Sequence, residues 1–416
     1  MPWKETHVEE QRRQFIEQWL ARKDAWTMEQ LCNAFGVSRK TGYKWVERFK
    51  CEGMSALLDQ SRARHTQEHA TAQEIVEKIV RLRRKYPRWG ARKLLAVLDE
   101  DRTQQWPAPS TIGDILKRQG MIQPRRRRAR ATPTERGEFR TPTAPNDVWA
   151  ADFKGWFRTG DGKRCDPLTI SDLASRYLLV CRHVDRPDTP TVRKVFTTVF
   201  RENGLPLAIR TDNGPPFAST GLGGLSQLSV WWVKLGIALE RIEPGCPEQN
   251  GCHERMHRTL KQETACPPAA DPAAQQRAFN HFRATFNALR PHEALGYRPP
   301  ASFYVHSDRR FPERQPSMEY APHLEVRRVR NTGEIKWRGD FVYLSTALVG
   351  EPVSLEQVDD RHWIICFGPV PLAYFDDASG KLLRIRPQAR RRGSAPPASV
   401  ENSARPSGSL RSPQTP

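Results

Sequence analysis

Three carboxylates and a row of cations are the residues of this chain whose types and spacing could do chemistry together. Glu254 lies in a turn-rich, strongly basic stretch, Pro244 to Glu263 (PGCPEQNGCHERMHRTLKQE), and His257 or Arg258 and then Lys261 follow it at i+3 or i+4 and i+7. On a helix, one face then presents an acid followed by positive charge. Asp152 lies in WAADFKGW, which reads as a strand, and Asp212 in IRTDNGPPF, where the run LAIRT ends in a turn. Three carboxylates from three separate elements, beside cations, suit a divalent ion next to a phosphate backbone. Mg²⁺ takes oxygen ligands in near-octahedral geometry and keeps several waters, so a few carboxylates and phosphate oxygens complete its shell.

Two other readings of the same residues compete. Residues 253 to 257 spell His-Glu-Arg-Met-His, the H-E-x-x-H pattern of zinc peptidases. The extended form of that pattern wants glycine and histidine where Leu260 and Glu263 stand. Five-residue patterns with two free positions also arise by chance. Asp172, on another predicted strand, is the rival carboxylate, and it is expected to organise a turn through Ser171 or Ser175 instead. Glu248 is the first alternative to Glu254.

The elements that must position these groups belong to a long, basic chain. At 416 residues it exceeds one ordinary domain, and length alone suggests about three. Lys and Arg number 67 against 47 Asp and Glu, a formal charge of +20, which implies a polyanionic partner. No apolar run approaches the roughly 20 residues that span a bilayer, and MPWKETHVEEQ lacks the apolar segment of a signal peptide, so a cytoplasmic protein without membrane contact is expected. Eight cysteines with no C-x-x-C pair read as free thiols.

Periodicity divides the chain into seven segments. Residues 8–58 read as a helix-turn-helix DNA-binding domain, its third helix opening at Ser38 after Gly36-Val37. Arg39, Lys40, Thr41, Tyr43 and Lys44 would face DNA, with Val37, Trp45, Val46 and Phe49 turned inward. Residues 70–124 read as a second helical, helix-turn-helix-like domain in which Ser110 caps the last helix and Ser110, Thr111 and Lys117 approach DNA. Residues 125–145 are a basic linker whose Arg125, Arg126, Arg127 and Arg128 repel one another unless an anion is present. Residues 146–305 alternate strands and helices as an α/β core, and 306–322 form a second linker. Residues 323–386 carry short alternating strands expected to form a small β-barrel with Arg327, Arg328, Arg330, Lys336 and Arg338 on a basic face. The Pro/Ser/Arg-rich residues 387–416 read as a disordered tail.

Asp152, Asp212 in TDNG, and Glu254 in NGCHERMHRTLK resemble the DDE triad of insertion-sequence transposases that carry a retroviral-integrase-type catalytic core. The resemblance runs from MPWKE to about residue 385, and the 42 positions from Asp212 to Glu254 are somewhat more than retroviral integrases have. It implies a ribonuclease-H-like core, with the first strand central and the fourth beside it, so that Asp152 and Asp212 become neighbours. It also implies that Asp152, Asp212 and Glu254 are both the catalytic residues and the ligands of two Mg²⁺ ions, with Mn²⁺ as a substitute, while Arg258 and Lys261 steady the DNA phosphate. The activity implied is two-metal phosphoryl transfer, in which the element end is cleaved and its 3′-hydroxyl joined to target DNA. Double-stranded DNA and further copies of the chain in a synaptic complex are the implied partners. The implied setting is the bacterial cytoplasm, at the nucleoid when DNA is bound. A non-catalytic DNA-binding regulator or domesticated transposase on the same fold is the alternative.

Overall fold

The structure is a computed structural model, and it describes residues 8–21, 26–59, 71–100, 104–122, 139–243 and 246–385. Arg125 to Arg128 and residues 387–416 lie outside the described residues. Contacts divide the chain into two units, residues 1–76 and 77–416.

In the first unit, α1 (Val8–Ala21), α2 (Met28–Ala34) and α3 (Arg39–Glu52) enclose Phe15, Ile16, Leu31, Val37, Trp45 and Val46. Both later helices start where the sequence supplies a cap. Thr27 and Gln30 form a reciprocal capping box on α2, and Ser38 Oγ accepts from Thr41 N at 3.2 Å on α3. Gly36, with φ 64°, makes the turn between them in the left-handed region. Arg12 is buried, donating to Leu57 O at 2.8 Å with its guanidinium 4.0 Å from the Trp45 ring centre. Phe49 is partly buried against this core, as its spacing implies.

The chain continues through α4 (Gln73–Lys85), α5 (Ala91–Leu98) and α6 (Pro109–Arg118). The last of these begins two residues earlier than a cap at Ser110 would set it. Pro109 occupies the first turn, where a missing N–H costs nothing, and Ala108 is the N-cap without a side-chain bond, so Ser110 is not the cap.

The core sheet is built from β1 (Val148–Phe153), β2 (Phe157–Arg158), β3 (Arg164–Asp172), β4 (Leu178–Val184), β5 (Ala208–Thr211) and β6 (Ala238–Arg241), ordered β2-β3-β1-β5-β6 with β4 also on β3. β1 runs antiparallel to β3 and parallel to β5, and β5 runs parallel to β6. The strands are apolar because both faces are covered. On one, α7 (Thr189–Asn203) and α8 (Gln227–Lys234) pack Phe196, Phe200, Trp231 and Trp232 against Trp149, Leu168 and Ile209. On the other, α9 (Gly251–Thr264) and α10 (Pro272–Ala288) pack Met256, Leu260, Phe279 and Phe282 against Cys165, Leu178 and Cys181. The expected core, with its first strand central, is what the structure contains.

Two expectations C-terminal to the core change. Residues 306–322, read as a linker, strap the core: Arg309 O accepts from Leu205 N at 2.7 Å, its guanidinium reaches Leu235 O and Gly236 O, and Phe311 packs on Phe200 and Trp231. Beyond it, β7 (Glu325–Arg328), β10 (Pro352–Gln357), β11 (His362–Phe367), β12 (Val370–Asp376) and β13 (Lys381–Arg384) make an antiparallel sheet ordered β13-β12-β11-β10-β7, beside a hairpin of β8 (Glu334–Trp337) and β9 (Asp340–Tyr343). No ladder closes these strands into a barrel among the described residues; sheet and hairpin instead share one core with Leu222, Leu225, Val230 and Val233 of the α/β domain.

Candidate active site

The register of the sheet decides where the acids meet. Ala150 of β1 pairs with Arg210 of β5, and continuing that parallel register by two residues sets Asp152 opposite Asp212, just past the carboxyl end of β5. Ligands of α/β sheets collect at this end. Glu254 comes from the first turn of α9. The Asp152 side chain is only 26% exposed, whereas Asp212 and Glu254 are exposed. Burial pushes the Asp152 carboxyl up to about 7, and the negative charges of Asp212 and Glu254 push the same way, while Lys154 opposes them. Asp212 and Glu254 are thus each within electrostatic reach of Asp152. Among the described residues no group of three or more His, Cys, Asp or Glu side chains, the three acids included, is placed so that it could hold a metal ion as it stands. What the acids offer a cation is oxygen donors of one sign, held on three elements, whose mutual repulsion a cation would relieve.

The neighbouring groups separate by helix face. His253, Met256, His257, Leu260 and Thr264 form the buried face of α9, and Glu254, Arg258 and Lys261 lie together on an exposed one. Of the two residues that could follow Glu254 on its face, it is thus Arg258 that does so. His257 turns inward, its Nδ1 3.7 Å from Asp152 Oδ2. His253 and His257 both approach the Thr169 hydroxyl, through Nε2 at 2.8 and 2.6 Å. Burial lowers the pKa of each ring, so both are neutral. The space between the two Nε2 atoms, where a peptidase zinc would sit, is filled by that hydroxyl.

Asp172 is fully buried and spent on structure, accepting from Asn146 N at 2.8 Å and from Ser175 N at 2.7 Å. It holds the turn, through Ser175, as expected. A cavity of about 300 Å³ on a third face of α9 is lined by Lys93, Arg255, Arg290 and His292 and by none of the three acids.

Of the residues assigned to DNA, Arg39, Lys40, Tyr43 and Lys44 are exposed on α3, while Thr41 is half-buried beside its cap. Ser110 and Lys117 are exposed on α6 and Thr111 is half-buried. Sequence reasoning passed over Lys154, two residues after Asp152, and Asn213, whose Nδ2 donates to Ile242 O at 2.6 Å and ties the Asp212 turn to the end of β6. Both lie inside motifs that drew attention only for their acids.

Comparison with known proteins agrees with this architecture. Two models described as integrase core domain match residues 142–247 and 235–300, and one described as the leucine-zipper of insertion element IS481 matches residues 7–85. The chain is 28% identical over 230 residues to an uncharacterised 31.7 kDa protein of insertion element IS407 from Burkholderia multivorans, covering 55% of this chain and 80% of that one. It is 27% identical over 165 residues to the transposase for insertion sequence element IS904 from Lactococcus lactis, covering 39% of this chain and 62% of that one. Among solved structures, the human T-cell leukaemia virus type 2 integrase catalytic core domain in complex with magnesium matches 40% of this chain and all of that one, at 18% identity and a TM-score of 0.32. The chain thus carries an integrase core domain. It is similar to proteins of insertion sequences, one of them a transposase, in keeping with the resemblance read from TDNG and NGCHERMHRTLK.

Proposed function

We propose that the protein is a DNA transposase that cleaves the ends of an insertion sequence and joins the freed 3′-hydroxyl to target DNA. The observation that supports this reading is the register that sets Asp152 of β1 opposite Asp212 at the end of β5, with Glu254 in the first turn of α9 near enough for its charge to act on Asp152. These carboxylates would hold divalent cations, Mg²⁺ by preference and Mn²⁺ as a substitute. A pair of such ions would supply charge stabilisation to the attacking and leaving oxygens of an in-line phosphoryl displacement. Arg258 and Lys261, exposed on the face of Glu254, bind the phosphate beside the reacting bond. Lys154 adds positive charge next to Asp152.

The helical modules deliver the DNA. Arg39, Lys40, Tyr43 and Lys44 at the start of α3 are placed to meet a major groove, with Ser110, Thr111 and Lys117 of α6 on a second site. Arg125 to Arg128 between the modules and the core would neutralise phosphates. Joining two ends requires two such chains, so a homo-oligomer forms on DNA. Among the described residues no helix is long and apolar enough to cross a membrane.

The test is an element end offered with Mg²⁺. The protein should nick it and join it to a second duplex, and Glu254→Gln should still shift the DNA while doing neither. Wild-type protein that shifts DNA but never nicks it would leave a DNA-binding regulator. Full activity in Glu254→Gln would move the catalytic glutamate, Glu248 being next to try.

A further inference from the structure

His253 and His257 flank Glu254 in sequence yet point away from it, and the mechanism above uses neither. Their hydrogen bonds assign their protons. Thr169 Oγ1 has one hydrogen, and we infer that it goes to the Asp152 backbone oxygen, 3.1 Å away, which can only accept. The hydroxyl's two lone pairs are then left for His253 Nε2 at 2.8 Å and His257 Nε2 at 2.6 Å, so both rings carry their hydrogen on Nε2. Ser171 Oγ, 2.8 Å from His253 Nδ1, must donate to it. One hydroxyl is in this way saturated by three partners, inside a site where His253 is 1% and Thr169 0% exposed.

The location of this fork gives it a consequence. Thr169 is the cross-strand partner of Asp152 in the β1–β3 ladder. Its hydroxyl therefore joins the backbone of one proposed metal-holding acid to successive turns of the helix that carries another. A slide or rotation of α9 by one residue would break both imidazole bonds and bury two neutral rings unpaired, which a low-dielectric interior penalises. We propose that Thr169, His253 and His257 are positioning residues, a three-way clamp that fixes the placement of α9 and hence of Glu254 relative to Asp152. This explains the His-Glu-x-x-His spacing without a zinc ion: histidines at i and i+4 share the buried face and leave the intervening glutamate on the exposed one. The inference rests on the reading of Asp152 and Glu254 as cation-holding acids.

Two measurements on the full chain test it. A long-range proton–nitrogen correlation spectrum of the imidazoles should show both rings as the Nε2–H tautomer, and an Nδ1–H tautomer on either overturns the clamp whatever the protein's activity. Thr169→Val keeps the shape and removes the hydroxyl, and Thr169→Ser keeps the hydroxyl. With Mg²⁺ and an element end, the valine variant should cleave about 10–100-fold more slowly with DNA affinity unchanged, the range seen when groups behind metal ligands are lost. Serine should restore most of that rate, and a valine variant as fast as wild type overturns the clamp. Should Thr169→Val fail to fold, His257→Gln, which offers an N–H near the Nε2 position, should outperform His257→Leu; equal rates for the two also overturn it. If the wild type cleaves nothing, the proposed function fails, and the tautomers alone then decide the clamp.

Discussion

Arg210 and Glu240 face each other across β5 and β6, their charged groups 2.8 Å apart and their side chains 10% and 11% exposed. The pair sits two residues before Asp212 and fastens chain from both sides of the site. Arg210 donates to Arg140 O and Gln249 O, and Glu240 accepts from Arg140 N at 3.1 Å, while the Phe139 ring lies under the guanidinium. The segment around Arg140 that leads toward β1 and the turn leading out to α9 are thus held by one ion pair. Arg210→Ala leaves the Glu240 carboxylate buried without its cation, which should cost about 3–5 kcal/mol in urea unfolding. A loss below about 1 kcal/mol would mean that water reaches the pair.

The proposed cation site carries an electrostatic cost that pH should reveal. In metal-free protein the Asp152 carboxyl titrates at about 7, against 3.8 when unperturbed, because of burial and then the charge of Asp212. Between those values the folded state binds more protons than the unfolded one. Stability therefore falls as pH rises through this window, and the full penalty is present above it. Asp152→Asn removes the ionisation, so in chelator at about pH 8 it should be more stable than wild type by on the order of 3 kcal/mol, with the two converging near about pH 4. Identical unfolding curves at the higher pH would show that neither burial nor the neighbouring acids penalise the ionised Asp152.

The acids were legible because strand and helix periods place them without reference to anything distant. WAADF and LAIRT read as strands, and their pairing follows from the family resemblance. Glu254 is separated from His253 and His257 by helical spacing, but which face is inward depends on Thr169, 84 and 88 residues away in sequence. No local pattern announces a threonine as the meeting point of two histidines. Closure of a barrel is equally invisible: alternation identifies β10, β11 and β12, while what they cover is decided by Leu222 and Val233 of another domain. Residues 306–322 read as a linker because they are proline-bearing and basic. Their order comes from Arg309 and from Phe311 meeting partners about 70 to 110 residues earlier.

DNA binding by the first unit should follow the exposed face of α3. Arg39, Lys40 and Lys44 are exposed on it, Arg39 only loosely matched at 4.0 Å by Glu29. Replacing any one of them by alanine should weaken element-end binding and, where a phosphate contact is lost, reduce the salt slope of log affinity by about 0.9. Gel shifts at several salt concentrations measure it. Unchanged affinity and slope in all three variants would take this helix off the DNA.

Two helical glycines should respond to alanine with opposite sign. At Gly42 in α3 an added Cβ would meet Cys32 Sγ at 2.5 Å and Phe15 Cζ at 3.0 Å, since this glycine lets α3 lie directly on α1 and α2. Gly42→Ala should destabilise the first unit by about 1–3 kcal/mol through overpacking. At Gly113 in α6 nothing lies within 4 Å, and alanine should stabilise by up to about 1 kcal/mol, the ordinary helix preference. Thermal unfolding of the two variants reads both signs, and stabilisation by Gly42→Ala would mean the three helices are looser than their packing shows.

The C-terminal sheet should prove inseparable from the core. Val230 and Val233 of α8 are buried in the same cluster as Ile365, Phe367, Leu372 and Phe375, and Lys234 Nζ meets Glu351 Oε1 at 2.7 Å with both side chains under 20% exposed. An independent domain on a tether would melt separately and could be removed without harm. Here truncation after residue 320 would bare Leu225, Val230 and Val233 and leave Lys234 unpaired, and apolar exposure of that kind drives association. The shortened chain should aggregate, or unfold at least 10 °C below the full chain, a shift of a few kcal/mol by the usual entropy scale for domains of this size. Lys234→Met tests the seam more gently. It keeps most of the stem's packing but strands Glu351, and should lower the melting temperature of core and sheet together, in one transition. Two transitions that move apart in that variant would show that the shared cluster does not couple them.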